Sequence, residues 1–332
     1  MKKTILFFVS FALLLCSCEK EIEFKGKYDG SKIVLYSVVN PMDTLKVRVL
    51  RSYFILRTSD GSENVFNGLP EAKVTALVNG TEIPLTEVDA GFFNSEYVPK
   101  PGDEVTIKAS REGYKSVTAT TVVPEPADFS VEKAVFEEKP IEDEYWRERR
   151  REWTVRLRIR INDVPGERNY YRLRIYEQDR EYQQSLFAMT QDVIFMSQTD
   201  EFETIEGMID GDTWVYLPDL IDDSMFEDRS YAFDVWFEVV RYKQWEELYS
   251  DSGIEYEESE EPVPDLDPAD FWVEVDALSP DLYFCSTSLE DYEASDYGFA
   301  SFFGEKVSIH NNVQNGIGCV GAITPGIIYL GD

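Results

Sequence analysis

Trp153-Thr154-Val155-Arg156-Leu157-Arg158-Ile159-Arg160-Ile161 alternates apolar and polar side chains at every step. A period of two sends successive side chains to opposite faces, so this stretch is a strand with one buried face. Tyr171, Leu173 and Ile175 repeat the pattern around Arg172 and Arg174, after the turn sequence Asp163-Val164-Pro165-Gly166. The two stretches read as a hairpin with one apolar face and one arginine face. Further along, the strands around Phe233–Val239 and Val273–Val275 place Asp234, Glu238, Glu274 and Asp276 on their polar faces. Four carboxylates beside Arg156, Arg158, Arg160, Arg172 and Arg174 predict cross-strand ion pairing. The same five guanidiniums, left unpaired, would form an anion-binding face.

Toward the N-terminus the pattern is also that of strands. Ile33 to Val39 is a continuous apolar run, and Leu45, Val47 and Val49 alternate with polar neighbours. Val74, Ala76 and Val78 lead into Asn79-Gly80, a pair suited to a type I′ turn because both residues tolerate positive φ. Val105, Ile107 and Ala109 alternate after the turn Pro99–Asp103, and Gly113-Tyr114 precedes the strand Val117 to Val123. Residues 27–124 are therefore expected to form an immunoglobulin-like or transthyretin-like β-sandwich, lacking the Cys…Trp…Cys hallmark of antibody domains. Pro124-Glu125-Pro126 marks its end. Residues 125–332 are expected to be a larger antiparallel β-rich domain, and the fold class is mainly β.

Within that second part, Glu137 to Glu152 is a charge run that reads as a solvated loop or strand end. Residues 246–270 hold eleven acidic residues and no basic one, with Pro262, Pro264 and Pro268. Such a segment is expected to be a mobile acidic loop. Its carboxylates lack the spacing and glycine of a calcium loop, so no metal is expected. Ser279-Pro280-Asp281 has the marks of a helix start, and Leu282, Cys285, Leu289 and Tyr292 follow at spacings of three and four. One prominent helix is expected near 280–294, packed through Leu282, Cys285 and Leu289. Val307, Ile309 and His310 read as a strand before the turn Asn315-Gly316-Ile317-Gly318.

The first residues carry an address. Lys2 and Lys3 precede the apolar run Ile5–Leu15, which is too short to cross a bilayer core about 30 Å thick. Residues 1–17 read as a signal peptide, and Leu15-Cys16-Ser17-Cys18 resembles a bacterial lipobox with Cys18 as the lipidated residue. Residues 18–26 form an acidic tether. Glu19, Lys20, Glu21 and Glu23 in it resemble the signal that exports lipoproteins to the outer face of the outer membrane.

Among 332 residues, 43% are hydrophobic and 14% aromatic, enough for packed cores, which excludes global disorder. The net charge of −32 argues against nucleic acid as a partner, since counterion release needs clustered basic residues. A single histidine, His310, removes most imidazole catalysis. Phosphate loops, nucleophile elbows, His-Glu-x-x-His and Cys-x-x-Cys are all missing, so no enzyme activity and no cofactor is expected. Tryptophans Trp214, Trp236, Trp245 and Trp272 suit either sugar stacking or core and rim packing. Cleavage before Cys18 leaves Cys285 and Cys319 as the unlipidated cysteines. A disulfide joining helix to last hairpin and a pair of free thiols both fit.

Several stretches together carry a resemblance: Cys18–Ile22, Pro101-Gly102-Asp103 with Gly113-Tyr114, Pro165–Leu173, Ser279–Tyr283 and Asn312–Gly318. In order and spacing they resemble a Bacteroidota lipoprotein family of unknown function, domain-of-unknown-function family four-two-four-nine. The resemblance implies an outer-membrane lipoprotein, often encoded beside TonB-dependent transporters, and implies no catalytic residues. The expected function is that of a non-catalytic, surface-exposed lipoprotein that binds a ligand or partner as an accessory to such a transporter. An adhesin or structural surface subunit is the second reading, and a carboxylate-based hydrolase the third.

Overall fold

The computed structural model describes residues 30–52, 68–163, 166–178, 183–196, 214–226, 229–243, 245–250, 253–258, 261–296 and 308–331. Among the described residues the fold is mainly β, with several antiparallel sheets, one main helix and no barrel. Residues 1–17 and 18–26, expected from the sequence to be a signal peptide and a tether, lie outside the described residues.

The first sandwich follows from alternation. Strands β1 (Ile33–Val39), β2 (Lys46–Arg51), β3 (Lys73–Val78), β4 (Thr81–Ile83), β5 (Thr86–Asp89), β6 (Phe92–Asn94), β7 (Glu104–Ser110) and β8 (Val117–Val122) form two layers. One layer holds β1-β2-β6-β5 and the other β4-β3-β7-β8. Ile33, Leu35, Val47 and Val49 of the first layer meet Ala76, Val78, Val105, Ile107 and Ala119 of the second in one core. Asn79 and Gly80, at φ 50° and 79°, make the expected tight turn from β3 to β4.

A second core begins after Pro126. Strands β9 (Asp128–Lys139), β10 (Arg150–Asn162), β11 (Tyr170–Gln178), β12 (Gln183–Leu186), β13 (Met189–Thr190), β14 (Val215–Tyr216), β15 (Leu220–Asp222), β16 (Tyr231–Tyr242), β17 (Trp245–Ser250), β18 (Gly253–Glu258) and β19 (Phe271–Leu278) follow in turn. The expected hairpin of β10 and β11 does not form. β10 lies between β16 and β9 in a five-stranded sheet, while β11 pairs with β19 in a ten-stranded one. Leu157 and Ile159 of β10 therefore face Leu173 and Ile175 of β11 across the core, with Phe233, Phe237, Phe271 and Val273. Residues 163–169 are more than a tight hairpin needs, and they let the chain cross from one sheet to the other. Both apolar stripes are buried, face to face instead of side by side.

Of the two charged segments one is as expected and one is corrected. The run from Glu137 is the end of β9, a solvated connection holding a single helical turn at Glu144–Arg147, and the start of β10. The acidic segment 246–270 is not a mobile loop through its length. β17 and β18 pair as a two-stranded sheet, in register from Trp245 with Glu258 to Ser250 with Gly253. Trp245, Leu248, Tyr249, Ile254 and Tyr256 are strand formers interleaved with the acids, which an average over composition conceals. Beyond them, Val263 is buried and Asp267 caps the turn Pro268–Asp270 through Ala269 N at 2.9 Å.

The end of the chain ties the two cores together. β20 (Ile317–Thr324) runs parallel to β1, from Val34 beside Ile317 to Val39 beside Ala322, and meets β19 at Ala277 and Leu278. β21 (Ile327–Tyr329) then returns along β19. The ten-stranded sheet thus runs through both sandwiches, and Val313, Val320 and Ala322 complete the first core. The sequence boundary at Pro124 separates the cores, but the last strand belongs to the first of them. Helix α1 (Pro280–Asp296) lies on the outer face of this sheet. Its start is as expected: Ser279 Oγ accepts from Leu282 N at 3.4 Å and from Ala322 N at 2.9 Å. Leu282 packs with Leu220, Leu278 and Ile323, whereas Leu289 is 42% exposed, so the helix docks by its first turns only. His310 lies in irregular backbone instead of a strand, and Val307 is outside the described residues.

Candidate binding cleft and the charged faces

Because β10 and β11 belong to different sheets, the five arginines do not make one face. Arg156, Arg158 and Arg160 stand on the outer side of the five-stranded sheet. Arg156 Nη1 donates to Glu137 Oε2 at 2.8 Å and Arg158 Nη1 to Asp234 Oδ2 at 2.6 Å. Arg160 Nε donates to Glu132 Oε1 at 2.6 Å, and Arg158 shares that carboxylate at 3.3 Å. Hydrogen bonding from Arg160 holds the Glu132 carboxyl below its ordinary range. Arg172 and Arg174 stand on the outer side of the ten-stranded sheet, paired with Asp276 at 2.6 Å and Asp219 at 2.8 Å. Pairing was legible, but half of the partners were not. β9 supplies Glu132 and Glu137, and Glu238 bonds Lys139.

The aromatic residues divide in the same way. Trp272, only 7% exposed, sits between the rings of Tyr176 and Tyr329, with centroids 5.3 and 5.8 Å away. It is packing and not a sugar platform. Trp214 lies edge-on to Tyr216, and Trp236 lines a shallow groove beside Arg156 and Arg158.

A cleft of about 950 Å³ opens where three distant segments meet, at residues 30–33, 113–115 and 311–316. Hydrogen bonds hold its walls. Lys32 N donates to Ser52 Oγ at 2.8 Å, Gln314 N to Thr118 O at 2.9 Å and Asn315 Nδ2 to Ser116 O at 3.4 Å. Asn312 grips both sides of the Val320 peptide, donating to its O at 2.8 Å and accepting from its N at 3.0 Å. The lining combines Tyr114 with the amides Asn311 and Asn315, and its charged residues are Lys32 and Lys115. Among the described residues neither lysine has a carboxylate within ion-pair distance. In a chain of net charge −32, the charged side chains lining this cleft are both cationic, which makes its local field opposite to the protein's overall charge. It suits an anionic or amide-rich ligand.

The two cysteines are neighbours. Cys285 on α1 is partly exposed and Cys319 on β20 is buried; both are free thiols, and Cys319 Sγ donates to the Asp281 carbonyl oxygen at 3.6 Å, one turn before Cys285. Beside them His310 Nε2 and Asp281 Oδ1 are 2.8 Å apart. Cys18, Glu19, Lys20, Glu21 and Glu23 fall outside the described residues.

Gly113-Tyr114 and Asn312–Gly318, two of the stretches behind the resemblance, face each other across the cleft. The sequence profile of a family described as a domain of unknown function (DUF4249) matches residues 19–326. The chain belongs to that family. No curated protein and no solved structure matches it. The cleft itself is not visible in the sequence, because about 80 and then nearly 200 residues separate its three segments. The two motifs were the signal that held it, read there as turns alone.

Proposed function

We propose that the chain is a non-catalytic lipoprotein, anchored through Cys18 to the outer membrane and facing the cell exterior. There it binds an anionic or polar ligand or partner in the cleft, as an accessory to a TonB-dependent transporter. The observation that carries the binding reading is the cleft's pair of lysines, Lys32 and Lys115, which among the described residues have no carboxylate within ion-pair distance, on a protein of net charge −32. Charge of the opposite sign in one concave site raises the encounter rate with anions and orients them. Position supports the accessory role. The twelve residues from Cys18 to Gly30 span at most about 40 Å when fully extended, which keeps the cleft close to the membrane surface.

The test is co-purification of the lipidated protein from native outer membrane. A TonB-dependent transporter in the eluate, lost with Lys32→Glu plus Lys115→Glu and kept with Arg158→Met, is the expected result. Recovery of an extracellular polymer with no transporter would favour the adhesin reading. An unchanged eluate with the double variant would remove the cleft from the function.

A further inference from the structure

Gly321 sets how closely α1 sits on β20. A Cβ at that position would lie 2.5 Å from Leu282 Cβ and 2.9 Å from its Cα, closer than such atoms approach. The missing side chain lets the helix settle onto the strand. Positions 319 and 321 share one face of β20, and positions 282 and 285 share one face of α1. Seating Leu282 over Gly321 therefore seats Cys285 over Cys319. Cys319 Sγ donates to the Asp281 carbonyl oxygen at 3.6 Å, one helical turn before Cys285.

The two thiols differ in what surrounds them. Cys319 is 1% exposed, beneath the helix and opposite Tyr36 in the β1 register. Cys285 is partly open to solvent. The neighbouring Cys319 thiol lowers the Cys285 thiol to about 7, and His310 adds to that against burial and the Asp281 charge. The Cys285 thiol beside it, burial and the Asp281 charge push Cys319 upward. Tyr36, facing the pair from β1, is raised chiefly by its own burial. A thiolate is the reacting form, so one cysteine is poised to attack and the other to follow.

We propose that Cys285 and Cys319 form a redox-active dithiol that reacts with small disulfides, with Cys285 as the attacking sulfur and Cys319 as the resolving one. The Cys285 thiolate attacks one sulfur of R–S–S–R, forming Cys285–S–S–R and expelling RS⁻, which takes up the proton Cys285 had released. Cys319 then loses its proton and attacks the Cys285 sulfur, breaking the mixed disulfide. The second RS⁻ leaves and takes up that proton. Two protein thiols are oxidised to one disulfide and one R–S–S–R is reduced to two R–SH. The product pins α1 to β20, closing the segment that carries His310 and the cleft wall 311–316.

The test uses the full-length protein in detergent, treated at pH 7 with oxidised glutathione, quenched in acid and mapped by peptide mass. Because the mapped peptides contain residues 285 and 319, the outcome is independent of lipidation and of the membrane reading. Wild type is expected to yield the two peptides joined. Cys319→Ala is expected to stop at glutathione on Cys285, and Cys285→Ala to leave Cys319 as a thiol. In untreated folded protein, iodoacetamide should label Cys285 at least about ten-fold faster than Cys319, with the difference gone in urea. Wild-type protein that shows no joined peptide at any glutathione ratio, or equal labelling of the folded thiols, overturns the proposal. Those two wild-type measurements decide it even where a variant fails to fold.

Discussion

Replacing Asp276 with asparagine should raise stability at neutral pH and above relative to wild type, by a gain that builds up as pH rises from about 4 to about 7 and is level beyond. Asp276 is 1% exposed on the outer side of β19. Its Oδ2 accepts from Arg172 Nε and Nη2 at 2.9 and 2.6 Å, while Oδ1 is buried without a partner. Burial pushes its carboxyl up to about 7; Arg172 opposes the shift and the neighbouring Glu274 adds to it. In the unfolded chain the group titrates near 3.8. Between these values the folded protein holds a proton that the unfolded chain has lost. The associated stability is complete below the unfolded value and disappears as pH rises through the folded one. At about 1.4 kcal/mol per pH unit the full difference is near 4 kcal/mol. Asparagine cannot ionise and still offers Arg172 an acceptor, but it forfeits attraction to that guanidinium, so about 1–3 kcal/mol is the expected net gain. Urea unfolding followed by tryptophan fluorescence at pH 5 and pH 8 measures it, provided the slope with urea is unchanged. A stability gap that stays constant or narrows from pH 5 to pH 8 would refute the reasoning.

Three other outcomes are expected. Leu282→Ala should lose about 2–5 kcal/mol because it empties the contact with Leu278 and Ile323, whereas exposed Leu289→Ala should stay within about 0.5 kcal/mol; equal urea midpoints would contradict the docking of α1. Arg158→Met should leave the urea midpoint nearly unchanged, since the side chain is 42% exposed and its pairs with Asp234 and Glu132 are screened; a large fall of that midpoint would show the ion network to be structural. Cys18→Ala should abolish metabolic fatty-acid labelling, and changing Glu19, Glu21 and Glu23 to alanine should protect the protein from external protease on whole cells; persistent labelling or unchanged protease sensitivity would count against the anchor and the export signal respectively.

Local features were legible in the sequence because local chemistry decides them. Asn79-Gly80 could only be a turn with positive φ, and Ser279-Pro280-Asp281 could only begin a helix, since each satisfies a backbone requirement within four residues. The alternation in β10 fixed which side chains are buried: Val155, Leu157, Ile159 and Ile161 all are. It did not fix what covers them. A stripe of that kind is buried equally well beside another strand or against a facing sheet, and only the length of the 163–169 connection distinguished the two. The tail of α1 failed for a related reason. A spacing of three and four places Leu289 below Cys285, but the sheet surface under the helix does not extend to it.

The features that bear on function depend on contacts the sequence does not encode locally. β20 pairs with β1 across nearly 300 residues, and this parallel pairing creates both the cleft and the Cys285–Cys319 contact. Without β20 beside β1, Asn311 to Gly316 would have no wall to face at Tyr114, and Cys319 would have no helix above it. The arginines drew attention in the sequence because five of them stood close together, yet each is paired with a carboxylate, Asp219 just before β15 or one on an adjacent strand. Lys32 and Lys115 drew none, being isolated in sequence, and among the described residues they line a concavity with no carboxylate in ion-pair distance. Availability, and not abundance, makes a charged side chain a recognition element. An exposed arginine already bonded to a strand neighbour must break that bond to hold a ligand, whereas a lysine with no carboxylate in reach need only shed water.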